Sequence, residues 1–326
     1  MRKSILRAAA AGALLAAGAV SVMAAQPAHV PPAWAFPVNP PDKHSESAVP
    51  PDKIEHVPGS TLGFTDRQLN NAFFAADWFP NEHPPLPPVV EFGRKPLVMA
   101  CGYCHLPTGT GGPAEAALPG LPARYIVQQI GEFRAGRRRA AQALMISAND
   151  MVKEVQHLSP ADIRAAADFF SQLPFKSHFH VVETDIVPRT SVLGVSVYGK
   201  IAGGGTEPIG ARIVEIPNDM RQWELGDPHT EFTAYVPKGS IRRGQALVAS
   251  GDGAAPCRNC HGADLRGAGP APPIAGRSAS YLARQLYDIQ YGTRSGPVVA
   301  PMLSEVAHMS DADRIAIAAY LTSLPG

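Results

Sequence analysis

The chain has 326 residues, with 29 Lys and Arg against 28 Asp and Glu, a formal net charge of +1 at pH 7 and only four Cys. A charge so near zero gives no electrostatic footprint for nucleic acid, and the length suits two domains plus connections rather than one. The 33 Pro and 30 Gly put much of the chain into loops and turns wrapped over small cores.

Arg2, Lys3 and Arg7 form a positive start, residues 8–22 are an uncharged Ala/Leu-rich run, and Val22-Met23-Ala24-Ala25 offers small residues for cleavage after Ala24 or Ala25. This is the pattern of a secretory signal over residues 1–25. The run has 15 residues, short of the ~20 needed to cross a bilayer, and Gln26 and Pro27 end it; no later stretch is long and apolar enough to span. Cleavage takes away three basic and no acidic residues, so the formal charge becomes 1 − 3 = −2. Residues 26–84 read as a Pro-rich arm, in which Pro31-Pro32, Pro40-Pro41 and Pro50-Pro51 favour extended backbone. A short helix is expected from Thr65-Asp66 through Gln68 to Ala76.

Cys101-Gly-Tyr-Cys104-His105 and Cys257-Arg-Asn-Cys260-His261 are two copies of C-x-x-C-H and use every cysteine in the chain. In this pattern two thiols bond to the vinyl groups of one haem and the adjacent His binds its iron, so each box predicts one covalent c-type haem. The proximal ligands are then His105 and His261. Disulfide geometry has no use for a His fixed after the second Cys, and a zinc knuckle needs its Cys pairs far closer than 257 − 104 = 153 positions.

Counting from each box His, Gly120 and Gly276, Tyr125 and Tyr281, and Gly136 and Gly292 fall in the same places without a gap. The segments that start at Tyr125 and Tyr281 carry apolar residues at three- and four-residue steps, which predicts an amphipathic helix closed by Gly in each copy. After a five-residue difference in loop length, Met151-Val-Lys-Glu-Val-Gln-His-Leu-Ser-Pro-Ala-Asp matches Met302-Leu-Ser-Glu-Val-Ala-His-Met-Ser-Asp-Ala-Asp. Ser159 and Ser310 are expected N-caps, with Asp162 and Asp313 three residues on, and Pro160 sits at the first helical position. Terminal helices are expected over 161–173 and 312–324. The repeat is a whole domain used twice, 85–180 and 240–326. The connecting segment 181–239 carries β-branched runs at 192–197 and 212–216 that predict short strands, and it is expected to clamp the two domains. Arg134 with Arg137-Arg138-Arg139 forms a basic cluster with three open readings: a docking face for an acidic partner, a solvated face, or a haem-propionate contact. Trp78 and Trp223 lie outside the repeats and read as packing anchors.

The order of haem box, loop, helix, Met loop and C-terminal helix resembles the class I c-type cytochrome domain over roughly 85–175 and 240–326. The tandem resembles dihaem cytochromes of the c4 type and cytochrome subunits of bacterial dehydrogenases. The resemblance implies a mainly α fold, two tandem class I domains joined by an irregular segment with short β-strands, and a Met opposite each proximal His, a ligand that raises the potential relative to a second His. Met151 and Met302 align, each eight residues before the capping Ser, and are the expected distal ligands. Met145 is the rival in the first domain, Met309 aligns with Leu158 and reads as core, and His157 and His308, also aligned, are the alternative of bis-His iron. The function implied is a periplasmic carrier of single electrons, drawing on a donor such as a periplasmic dehydrogenase and passing to a terminal oxidase or soluble cytochrome. Rival readings are a dihaem peroxidase or sulfur-compound dehydrogenase, and a permanently bound subunit of a dehydrogenase complex.

Overall fold

The computed structural model describes residues 30–40, 49–251 and 255–326. The expected signal segment, 1–25, lies outside the described residues. No helix among the described residues is long and apolar enough to cross a membrane.

Both copies of the repeat fold as the pattern requires. In the first, the helices are Cys101–His105, Ala123–Arg134, Ile146–Glu154 and Pro160–Gln172, with a 3-10 turn Val155–His157 before the last. In the second they are Arg258–His261, Ala279–Gln290, Ala300–Val306 and Asp311–Ser323. The helix Ala123–Arg134 buries Tyr125, Ile126, Ile130 and Phe133, the stripe that its three- and four-residue spacing dictates. It ends at Gly136, whose φ of 68° is matched by 72° at Gly292, the left-handed conformation that a helix terminus of this type needs.

The Ser159 hydroxyl accepts from the Asp162 N–H, and Ser310 forms a full capping box with Asp313. Each such cap contributes about 1 kcal/mol. The terminal helices begin one residue before the expected start, immediately after these caps. In the first copy Ile163, Ala166, Ala167 and Phe170 pack against the middle helix in one apolar cluster with Tyr125, Ile130 and Val155.

The second copy gains an N-terminal helix, Ser240–Ser250, packed against Asp311–Ser323. The two backbones meet at Gly244, where a Cβ would stand 1.9 Å from the Ala316 carbonyl oxygen. Phe179–Glu183 pairs in parallel with Phe232–Val236, which pairs antiparallel with Val214–Pro217. Ile213, Ala234 and Val236 share one core with Val248, Ala283 and Ile315, so strands from the connecting segment complete the core of the second copy.

The strand expected over 192–197 is instead a hairpin, Thr190–Leu193 against Val197–Lys200. Gly194 and Ser196 take φ of 59° and 54°, so the β-branched run is broken by its turn. The helix expected through Ala76 covers only Asp66–Leu69: its capping box, Thr65 with Gln68, forms, and then Asn70 closes the turn by returning both its backbone N–H and its side-chain amide to the Asp66 carbonyl. In the Pro-rich arm, Ala35 and Phe36 are buried, and Trp34 and Phe36 pack against Tyr287 of the second copy. The Trp78 indole N–H donates to Leu225 O at 2.8 Å and so ties the connecting segment to the arm; Trp223 lies edge-on to Phe232 within the segment and packs against the cluster of Ala114 and Tyr287.

Candidate functional site

Each C-x-x-C-H box forms a helical turn that brings its two Cys, three residues apart, to one side. His105 and His261 are buried, and their Nδ1 atoms lie 2.9 Å from Ala116 O and 2.8 Å from Pro272 O. Both carbonyls come eleven residues after their His. A carbonyl only accepts, so Nδ1 carries the proton and Nε2 keeps its lone pair for a metal. Burial lowers both imidazoles below their ordinary value, which favours the neutral form that binds metal. Burial also pushes the Cys101 thiol up to about 12 and raises Cys104 and Cys257.

In the second copy a cavity of about 670 Å³ is lined by Cys257, Cys260, His261, Pro272, Leu282 and Met302. Its size falls within the roughly 300–1,000 Å³ of a cofactor site. Met302 and Met309 both line the cavity and pack with Ile289, Val299 and Val306; Met309 also touches the main core of the second copy, and His308 is exposed at the lining. In the first copy Met151 packs in the cluster that holds Cys101, Tyr125 and Phe170. Met145 goes elsewhere: it is 1% exposed, in a separate cluster with Phe36, Ala140, Val197 and Tyr287. His157 stands exposed on the 3-10 turn.

Between the two copies lies a reciprocal polar network. Arg138 donates to Gln129 Oε1 in its own copy at 2.9 Å and to the Tyr281 hydroxyl of the other at 2.9 Å. Arg294 donates to Gln285 Oε1 in its own copy at 2.9 Å and to the Tyr125 hydroxyl of the other at 2.9 Å. The backbones of Arg138 and Arg294 also meet as an isolated antiparallel bridge. The nearby Arg277 guanidinium stacks 4.0 Å over Phe175 and donates to Pro119 O at 2.9 Å, and burial pulls it down to about 10.

Among the described residues no carboxylate pairs with Arg138, Arg277 or Arg294, and Arg277 Nε, Arg294 Nε and Gln129 Nε2 are buried without acceptors. Buried cations call for an anion. Arg277, Arg294, Tyr125 and Tyr281 all border the cavity, so a haem with its propionates fits both the apolar volume and the unmatched donors.

The basic cluster of the sequence does not form one patch. Arg134 donates to Val155 O and Leu158 O, Arg137 pairs with Glu132 at 2.6 Å, and Arg138 is buried in the network. Arg138 and Arg294 sit 33 residues beyond their box His, and Gln129 and Gln285 sit 24 beyond. The repeat register therefore carried a signal for all four.

The cytochrome c family profile matches residues 241–325. The chain is 26% identical over 236 residues to the thiosulfate dehydrogenase electron acceptor of Thiomonas intermedia (strain K12), covering 71% of this chain and 81% of that one. It is 41% identical over 84 residues to cytochrome c4 of Azotobacter vinelandii, covering 23% of this chain and 40% of that relative. To cytochrome c-554(548) of Halomonas halodenitrificans it is 38% identical over 68 residues, 21% of this chain and 82% of that one. With both boxes folded alike around a buried, metal-ready His, and with most of a small cytochrome c aligned to one copy, this chain belongs to the cytochrome c family.

Proposed function

We propose that the protein is a periplasmic dihaem carrier of single electrons. The observation that carries this reading is the equivalence of the two sites: in each, the box His gives Nδ1–H to the carbonyl eleven residues on, and a Met-bearing helix of the same register packs nearby. Cys101 and Cys104 would tether one haem and Cys257 and Cys260 the other, with His105 and Met151 holding the first iron and His261 and Met302 the second. Haem iron held this way supplies a one-electron ferrous/ferric couple. The chain's own contribution is to orient each imidazole, exclude water with apolar walls, and neutralise propionates with buried guanidinium groups.

With a His and a Met of this chain holding each iron, the haems would exchange electrons rather than bind substrate, and a partner protein would supply those electrons. The relative that aligns over most of both chains is named for accepting electrons from thiosulfate dehydrogenase, which supports a sulfur-compound dehydrogenase as donor; a terminal oxidase or soluble cytochrome is the acceptor. The test is intact mass together with turnover. The exported protein should weigh as the chain without residues 1–25 plus two haems, and should show no steady-state peroxide reduction in the oxidised or half-reduced state. A bare-chain mass overturns the haem assignment, and rapid peroxide turnover overturns the carrier role.

A further inference from the structure

The aligned Met segments share one more residue whose part remains unassigned: a Glu three positions after each Met, Glu154 and Glu305. Three residues along a helix is one turn, so Met and Glu lie on neighbouring positions of one face, within Ile146–Glu154 in the first copy and Ala300–Val306 in the second. In both copies the carboxylate reaches the same target. Glu154 Oε2 accepts the Met99 N–H at 2.6 Å, and Glu305 Oε2 accepts the Ala255 N–H at 2.6 Å. Met99 and Ala255 each stand two residues before the first Cys of their box. The loops that lead to these glutamates differ in length by five residues, yet the contact is the same in both copies.

We infer that Glu154 and Glu305 are positioning residues that latch each Met-bearing helix to the lead-in of its own haem box and so hold the crevice closed with the Met sulfur against the iron. The box carries the proximal His and the thioether attachments; the helix carries the Met. A charge-assisted hydrogen bond between them fixes one axial side relative to the other, and such bonds are short and about twice as strong as neutral ones. The latch is local to each copy, so each Glu governs one haem.

The inference rests on Met151 and Met302 as distal ligands, and the experiment separates the two. In the matured dihaem protein, Glu154→Ala should raise the rate of imidazole binding at the first haem about tenfold, the effect of losing one hydrogen bond to a charged group. It should also bring the loss of that haem's iron–sulfur charge-transfer band to lower pH, leaving the second haem unchanged; Glu305→Ala should do the reverse. Glu→Gln, which keeps an acceptor oxygen, should restore most of the wild-type behaviour. Asp150→Ala, which breaks the Asp150–Lys153 pair on the same helix without touching the latch, should have no effect. Unchanged rates, a response of both haems to either variant, or an Asp150→Ala effect equal to that of Glu154→Ala overturns the latch.

If the Ala variants are not matured, hydrogen exchange on the wild-type holoprotein decides. Protected Met99 and Ala255 amides support the latch, and exchange at the rate of exposed loops refutes it. Met151→Ala and Met302→Ala run alongside: bands that survive these overturn the ligand assignment, whereas bands lost there but indifferent to Glu154→Ala and Glu305→Ala overturn the latch alone.

Discussion

Met145 and Met151 compete for the first iron, and their surroundings predict opposite phenotypes. Met145 is 1% exposed among Phe36, Ala140, Val197 and Tyr287. Met145→Ala should therefore cost roughly 2–5 kcal/mol through lost transfer energy and a cavity, a fall in Tm of roughly 5–15 °C, with the charge-transfer band of the first haem intact. Met151 is partly exposed in the cluster that holds Cys101. Its truncation removes less apolar surface, about 1–2 kcal/mol, but should open the iron, abolish the band and lower the potential of the first haem only. Visible spectra of the ferric protein, redox titration and thermal unfolding on both variants make the comparison. A band that survives Met151→Ala and disappears in Met145→Ala would refute the assignment, and with it the use of repeat register to choose between them.

Three further outcomes follow from the geometry. Arg294→Ala removes a buried cation that touches Tyr125 and borders the second cavity, so both haem potentials should fall by roughly 30–60 mV, the scale of about 1 kcal/mol for one electron; potentiometry showing no change would count against the propionate role. Glu115 is half-buried near Arg284 with its Oε2 enclosed and unpartnered, and loss of hydration there pushes its carboxyl from 4.5 up to about 8. Because the folded value is the higher, its contribution to stability is complete below pH ~4.5 and is lost as pH rises through ~8, by at most about 5 kcal/mol; Glu115→Gln should flatten that slope in denaturant titrations across this window and leave the acid side unchanged. Gly244→Ala places a methyl 1.9 Å from Ala316 O and should cost at least about 3 kcal/mol, measured as a loss of matured second-domain haem or of Tm.

The features legible in the sequence were those fixed by local chemistry. The C-x-x-C-H boxes, the Ser159 and Ser310 caps, and the glycines that close the middle helices all declare themselves within a few residues. What escaped depends on distant partners. Phe179–Glu183 and Phe232–Val236 are short strands whose pairing is parallel across more than fifty residues, and neither has turn signals that would mark a hairpin. The hairpin inside 190–200 was hidden because its turn uses Ser196 at positive φ, a conformation that composition does not announce. The acceptors for His105 and His261 are backbone carbonyls of Ala116 and Pro272, which no side-chain pattern encodes. Arg138 read as one of a basic run open to docking, solvation or propionate contact, and its shared register with Arg294 was the one sequence signal that sets it apart from Arg137 and Arg139.

The exchange of arginines between copies changes what the duplication means for the chain's history. A tandem repeat starts as two parts free to drift apart or be lost singly. Here each half supplies the guanidinium that the other half's tyrosine requires, so a change at Arg138 is felt at Tyr281 and a change at Arg294 is felt at Tyr125. Deleting, transplanting or changing one half at these positions strips a hydrogen bond from a tyrosine of its twin, so the duplication has made the two halves mutually dependent there.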